Sequence, residues 1–230
     1  MSETTVVVVG AGLSGIATAL GVALRGGTAV VLESSDLVGG AAAYSGGMVW
    51  VGANHVAARE GIDDDLERAE AYVRALTHEH PELLDERAML RWLVSAPLAM
   101  EYWEQQGAIR WEIIPELADY HDEAPGALEV GRYLTNAVID GSTLGTWRER
   151  LRVSPNFPVG MTYAEMNVKG RRSSSLAHGE DDEIAGHAGV PAFGRTDVAV
   201  HSSGTADPLT FGTGVVASFL ARAVREPGIE

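Results

Sequence analysis

The sequence has no cysteine in its 230 residues, which excludes disulfides, thiolate metal sites and cysteine nucleophiles. Positive charge is scarce. The 17 Lys and Arg against 32 Asp and Glu give a formal net charge of -15, and a field of that sign repels phosphate backbones and anionic lipid surfaces. Nucleic acid is not an expected partner. The opening Met1-Ser2-Glu3-Thr4-Thr5 lacks the basic segment of a signal peptide, and the apolar run from Val6 breaks at Gly10, too short to span a bilayer. These absences predict a soluble, cytoplasmic protein without a membrane span. The 46% hydrophobic and 21% charged composition is ordinary globular usage.

Val6-Val7-Val8-Val9 is a β-branched run without polar alternation, which predicts a strand buried on both faces of a parallel sheet. Residues 13–25 carry apolar side chains at helical spacing, closed by Gly26-Gly27 where a left-handed cap is cheap. Thr28 to Glu33 reads as a second buried strand. Together these make a right-handed β-α-β unit with its strands side by side. Two helices are expected over 63–79 and 85–106, the second kinked or broken at Pro97. Residues 154–210 are rich in Gly, Pro and Ser without sustained periodicity, a connection that is either functional or disordered. A last amphipathic helix is expected over 213–225, stopped by Pro227-Gly228, with Ile229-Glu230 opening another strand. There is no internal repeat, and Glu180-Asp181-Asp182-Glu183 reads as a solvated loop.

Between the first strand and helix lies Gly10-Ala11-Gly12-Leu13-Ser14-Gly15, a GxGxxG in the context of a dinucleotide fingerprint. Gly10 permits the tight turn, Gly12 lets a pyrophosphate approach the backbone, and Gly15 allows the helix to pack closely on the strand. The helix N-terminus aims unpaired N–H groups and a positive dipole end at phosphate, and Ser14 can add a hydroxyl donor. Glu33, 18 residues beyond Gly15 and followed by Ser34, can accept both ribose hydroxyls and would repel a 2′-phosphate. The blander alternative is that the glycines merely turn a βα corner.

This fingerprint alone does not separate NAD from FAD. Five residues after Glu33 come Gly39-Gly40, then Ala41-Ala42-Ala43-Tyr44-Ser45-Gly46-Gly47. The pattern of a Glu, a short spacer, Gly-Gly and Ser-Gly-Gly resembles the FAD-binding domain of the fumarate reductase and 3-ketosteroid dehydrogenase flavoproteins. FAD lies extended, so glycine-rich backbone must continue past the ribose acid along the pyrophosphate and ribityl chain; an NAD site needs no second glycine run. A flexible loop is the alternative for residues 39–47. The resemblance continues through Asp119-Tyr120-His121, Pro125-Gly126, Gly131-Arg132 and Phe157-Pro158-Val159-Gly160-Met161-Thr162.

The sequence also departs from that family. Ala41-Ala42 stand where relatives often have Ser or Thr, leaving backbone N–H groups to hold phosphate or flavin. No histidine lies between residues 34 and 54, so the resemblance implies FAD bound non-covalently. It also implies Tyr120 as an active-site phenol that polarises a carbonyl or assists proton removal, against the alternative of an amphipathic tyrosine at a domain junction. His121 replaces a tyrosine common there. His178, His187 and His201 lack metal-ligand spacing, and no metal site is expected. His78 and His80 lie near a helix C-terminus, where a cation complements the dipole. Arg171-Arg172 suit an acidic substrate or a flavin phosphate, or simply solvent.

The expected fold is α/β: a Rossmann-like FAD-binding parallel sheet with an inserted, incomplete α+β substrate domain. Residues 1–110 form the FAD-binding part with a helical extension, 111–205 the start of the substrate region and long loop, and 206–230 the return helix and strand. Such flavoproteins close the flavin site with later strands and a Gly-Asp element not found in these 230 residues, so an N-terminal fragment is expected. The resemblance implies FAD-dependent transfer of hydride between flavin and a carbon α,β to a carbonyl of a small-molecule substrate, with ketosteroid-like molecules among the candidates. An inactive nucleotide-binding remnant and an NAD-dependent dehydrogenase are the alternatives.

Overall fold

In the computed structural model, residues 5–154, 162–163 and 205–230 are described. The chain divides into two compact units, one of Met1–Gly47 with Asn136–Glu230 and one of Met48–Thr135. These boundaries differ from the motif-based ones at 110 and 205.

The first unit opens with β1 (Thr5–Val9), α1 (Leu13–Ala23) and β2 (Thr28–Leu32). The strands pair in parallel, in register from Thr5 opposite Thr28 to Val9 opposite Leu32. Gly26, at φ +78°, closes α1 in the left-handed region, with its N–H on the Ala23 carbonyl at 2.8 Å and that of Gly27 on Val22 at 3.1 Å. Ile229 bridges in parallel to Ala29, so the last residues do continue the sheet as expected. The double burial expected for β1 is not found. Val8 packs with Ala19 and Ala29, joined by Val6, Val22 and Val31, whereas Val7 is 59% and Val9 85% exposed. Among the described residues α1 covers one face of this pair and nothing covers the other, which turns the apolar run into a half-buried strand.

The second unit has a sheet in the order β3 (Val49–Trp50), β5 (Tyr133–Asn136), β4 (Trp111–Ile113). Its helices are α2 (His55–Arg59), α3 (Leu66–Leu76) and α4 (Glu86–Gln105). Each has an N-cap side chain: Asn54 accepts from Ala57 N–H at 2.8 Å, Asp65 from Arg68 at 2.7 Å and Asp85 from Ala88 at 2.9 Å. α4 passes through Pro97 without the expected break. Proline removes one hydrogen bond, but the preceding turns are anchored by Met89 and Leu93, buried against Ala69 with Trp50, Val73 and Leu84 packed around them.

A buried ionic cluster organises the rest of this unit. The Arg132 side chain has no solvent exposure. It forks onto Asp64, Nη2 to Oδ1 at 2.7 Å and Nε to Oδ2 at 3.0 Å, and gives Nη1 to Asp119 Oδ2 at 2.8 Å. Asp119 also accepts from Trp50 Nε1 at 2.6 Å and from Leu128 N–H at 3.0 Å. The guanidinium lies 5.3 Å from the Trp50 ring and 5.6 Å from that of Tyr72. Burial opposes its charge, but the two carboxylates outweigh that and raise its pKa.

The chain returns to the first unit through β6 (Ile139–Asp140), a 3-10 stretch over Gly141–Arg150, and β7 (Pro208–Leu209), antiparallel to β6. It then forms α5 (Phe211–Ala223), which packs on α1 and on the 3-10 turn Gly40–Tyr44. The expected amphipathic character is absent, because every residue from Phe211 to Ala221 is buried. Small residues on one side and Val, Phe and Leu on the others suit a helix enclosed all round.

Candidate functional site

The βα turn after β1 has the geometry of a phosphate loop. Gly10 sits at φ +96°, and Gly12 caps α1 in extended conformation with no side chain bonding the helix end. Gly15 is sterically obligatory, since a Cβ there would lie 1.9 Å from the Gly10 carbonyl oxygen and 3.4 Å from Val8 Cγ1. Leu13 is half-buried, and Ser14 is exposed in the first turn of α1. Glu33, at the end of β2, is already engaged with this loop. Its Oε2 accepts the Ala11 N–H at 2.7 Å, and its Oε1 accepts the Ser35 N–H at 3.0 Å and the Ser34 hydroxyl at 3.3 Å. The Ala11 bond, then the Ser35 bond, hold its carboxyl below the usual carboxylate range.

The second glycine run lies directly against the first. Gly39 bridges to Gly12 in parallel, and its N–H donates to the Ala11 carbonyl at 2.8 Å. Gly40, at φ +54°, faces Gly12 so closely that a Cβ on it would stand 3.1 Å from Gly12 Cα; a Cβ on Gly12 would meet only Gly40 Cα, at 3.9 Å. Two bare backbones thus meet beside the N-terminus of α1, with no side chain from either glycine over the helix end, where a phosphate could be held. Ala41 is exposed on the following 3-10 turn.

Ser45, Gly46 and Gly47 are tied to the rest of the first unit. The Ser45 hydroxyl donates to the Ala42 carbonyl at 2.8 Å and accepts the Gly47 N–H at 3.1 Å. Gly47 packs on the start of α5, where a Cβ would lie 2.3 Å from the Phe211 carbonyl carbon, and Gly212 donates its N–H to the Ser45 carbonyl at 3.0 Å. The Gly46 carbonyl accepts the Tyr163 hydroxyl. Tyr163 in turn meets Phe211 edge-on at 4.8 Å, and Phe211 is held at φ +54°, a strained conformation for so bulky a residue.

Sequence inspection missed the return segment. Val38 bridges to Leu151 in parallel, and Arg152 reaches the Tyr44 hydroxyl and the Ser35 hydroxyl, each at 2.9 Å. With Trp147 and Arg150 it borders the loop that follows Glu33. These contacts span more than a hundred residues of chain, and no local pattern announces them.

In the second unit, Tyr120 is 67% exposed and stacks on Tyr133 with ring centroids 5.2 Å apart. Burial, then the neighbouring Tyr120 and Tyr72, push the Tyr133 phenol up to about 12. The His121 N–H donates to the Tyr72 hydroxyl at 3.3 Å. His78 Nδ1 lies 3.0 Å from the Ala75 carbonyl at the end of α3. Residues 157–161, Arg171-Arg172, His178, His187, His201 and the acidic run 180–183 lie outside the described residues.

The sequence matches the FAD binding domain family over residues 5–229. It is 30% identical over 161 residues to 4-oxocyclohexanecarboxylate 2-dehydrogenase of Sinomonas cyclohexanicum, covering 70% of this chain and 28% of that protein. It is 33% identical over 147 residues to 3-oxosteroid 1-dehydrogenase of Mycobacterium tuberculosis, covering 63% of this chain and 25% of that one. The chain thus spans about a quarter of the length of these curated relatives. In fold it is similar to a 3-ketosteroid delta1-dehydrogenase from Sterolibacterium denitrificans, solved with 1,4-androstadiene-3,17-dione, at TM-score 0.69 and 24% identity over 96% of this chain and 39% of that one. Among the described residues, no helix is long and apolar enough to cross a membrane.

Proposed function

The chain belongs to the FAD-binding domain family, and from that premise we propose that the protein is an FAD-dependent dehydrogenase of ring ketones, removing a hydride from the carbon β to the carbonyl and a proton from the α carbon. The observation that carries this is the facing pair of glycine runs, Gly12 against Gly40, with Glu33 at their edge. The relatives' names support the substrate class: in both, the dehydrogenated carbon is two ring positions from the oxo carbon. Bound FAD supplies the hydride acceptor, and the protein supplies position and proton handling.

In this proposal the pyrophosphate lies at the N-terminus of α1 alongside Gly12 and Gly40, Glu33 accepts the ribose hydroxyls, and the backbone of residues 41–47 follows the ribityl chain. No histidine stands between residues 34 and 54, which supports non-covalent attachment. The β-α-β unit serves as the start of a Rossmann-like sheet, and Met48–Thr135 as part of an inserted substrate domain. Tyr120, an exposed phenol beside Tyr133, serves as the proton partner.

The test is anaerobic mixing of the FAD-loaded protein with a 4-oxocyclohexanecarboxylate and, separately, a 3-oxosteroid. Bleaching of the flavin absorbance with formation of the conjugated enone is expected with one of them. Flavin that remains oxidised with both would overturn the assignment.

A further inference from the structure

The first unit has a cavity of about 350 Å3 beyond the phosphate loop. Its lining includes Glu33, Ser35, Val38, Trp147, Arg150 and Val224. Trp147 is 38% exposed, so its ring is open to the cavity. The Arg150 guanidinium lies over its ring at 5.8 Å. The backbone beneath is fixed: the Arg150 carbonyl accepts the Val38 N–H at 2.8 Å, and the Arg152 N–H returns to the Val38 carbonyl at 2.9 Å. A flat aromatic face and a flat cation are therefore held beside the loop that leaves the ribose acid.

The order of groups in a dinucleotide determines what arrives there. With diphosphate at the N-terminus of α1 and ribose on Glu33, the base projects past Glu33, away from the glycines and into this cavity. We infer that Trp147 and Arg150 form a base clamp, the adenine of FAD stacking on the Trp147 indole while the Arg150 guanidinium lifts on its flexible stem to cover the other face. This rests on FAD being the ligand of the glycine loops.

The test uses two probes besides FAD: ADP-ribose, which has the adenosine half without flavin, and FMN, which has flavin without adenosine. Trp147→Ala should weaken ADP-ribose and FAD binding by about five- to 150-fold, the scale of one stacked base, and leave FMN binding unchanged. Trp147→Phe should restore most of the loss. Arg150→Ala should weaken ADP-ribose in the same direction by less. ADP-ribose affinity unchanged in Trp147→Ala, while the parent protein binds FAD, would overturn the clamp alone. A parent protein that binds neither FAD nor ADP-ribose would overturn the FAD placement and the clamp with it.

Discussion

The Glu33 carboxylate accepts the Ala11 backbone N–H at 2.7 Å, tying the end of β2 to the glycine loop after β1. Oε2 thus sets the loop while Oε1 accepts the Ser35 N–H and the Ser34 hydroxyl, so a ribose diol would take the second Oε2 lone pair and the place of the long Ser34 bond. Glu33→Gln replaces one acceptor oxygen by an NH2 group, which must face either the Ala11 or the Ser35 N–H. FAD affinity should fall by about ten- to a hundredfold, the scale of lost charge-assisted bonds, measured by titration of the apoprotein. Unchanged affinity would leave Glu33 only its link to the loop. The pH dependence has a definite sign. Because the folded carboxyl is held below its ordinary range, its contribution is complete at neutral pH and is lost as pH falls through the lowered value. Parent protein should release FAD along that acid limb, and Glu33→Gln should lack it.

Two glycines of the same fingerprint should fail differently. At Gly15 an added Cβ would sit 1.9 Å from the Gly10 carbonyl oxygen, so Gly15→Ala should destabilise the fold by about 1–3 kcal/mol or more, as overpacking does. At Gly12 the nearest atom is 3.9 Å away, so Gly12→Ala should melt near the parent temperature yet lose FAD, because its methyl enters the phosphate space. Thermal denaturation and FAD titration on both variants separate the two roles. A Gly12→Ala protein that binds FAD normally would move the diphosphate elsewhere.

This division shows which parts were legible in the sequence. Residues 5–33 form a local unit, so strand, helix, strand and acid follow from periodicity and glycine placement. The burial of α5 and the exposure of Val7 and Val9 depend on which layers surround them, and periodicity cannot count layers. Pro97 looked like a breaker because its cost is local, whereas the anchoring of α4 is tertiary. The partners of Arg132, at Asp64 and Asp119, and of Arg152, at Ser35 and Tyr44, meet only after folding.

The Arg132 cluster carries its own expectation. Arg132→Ala leaves Asp64 and Asp119 buried without their cation, and should cost about 3–5 kcal/mol of stability. Arg132→Lys should recover only part of this, because an ammonium cannot fork onto Asp64 while reaching Asp119. Denaturant unfolding of both variants gives the comparison. A loss under 1 kcal/mol for Arg132→Ala would mean that water or rearranged side chains replace the guanidinium, and that the cluster does not hold the second unit together.

Tyr120 and Tyr133 stack on each other, but they should separate in experiment because burial differs. Tyr133 is 9% exposed, and its pKa rises from 10.0 to about 12. A raised folded value favours the neutral phenol, so its contribution to stability is complete below pH 10.0 and lost as pH climbs through about 12. Tyr133→Phe should flatten the alkaline loss of stability over that window. Tyr120, 67% exposed, is the phenol of the pair that is open to solvent, and it is the one proposed as proton partner. Tyr120→Phe should therefore lower turnover on a ring ketone by about a hundredfold and leave the flavin spectrum unchanged. Near-normal turnover in Tyr120→Phe would reduce its role to covering Tyr133.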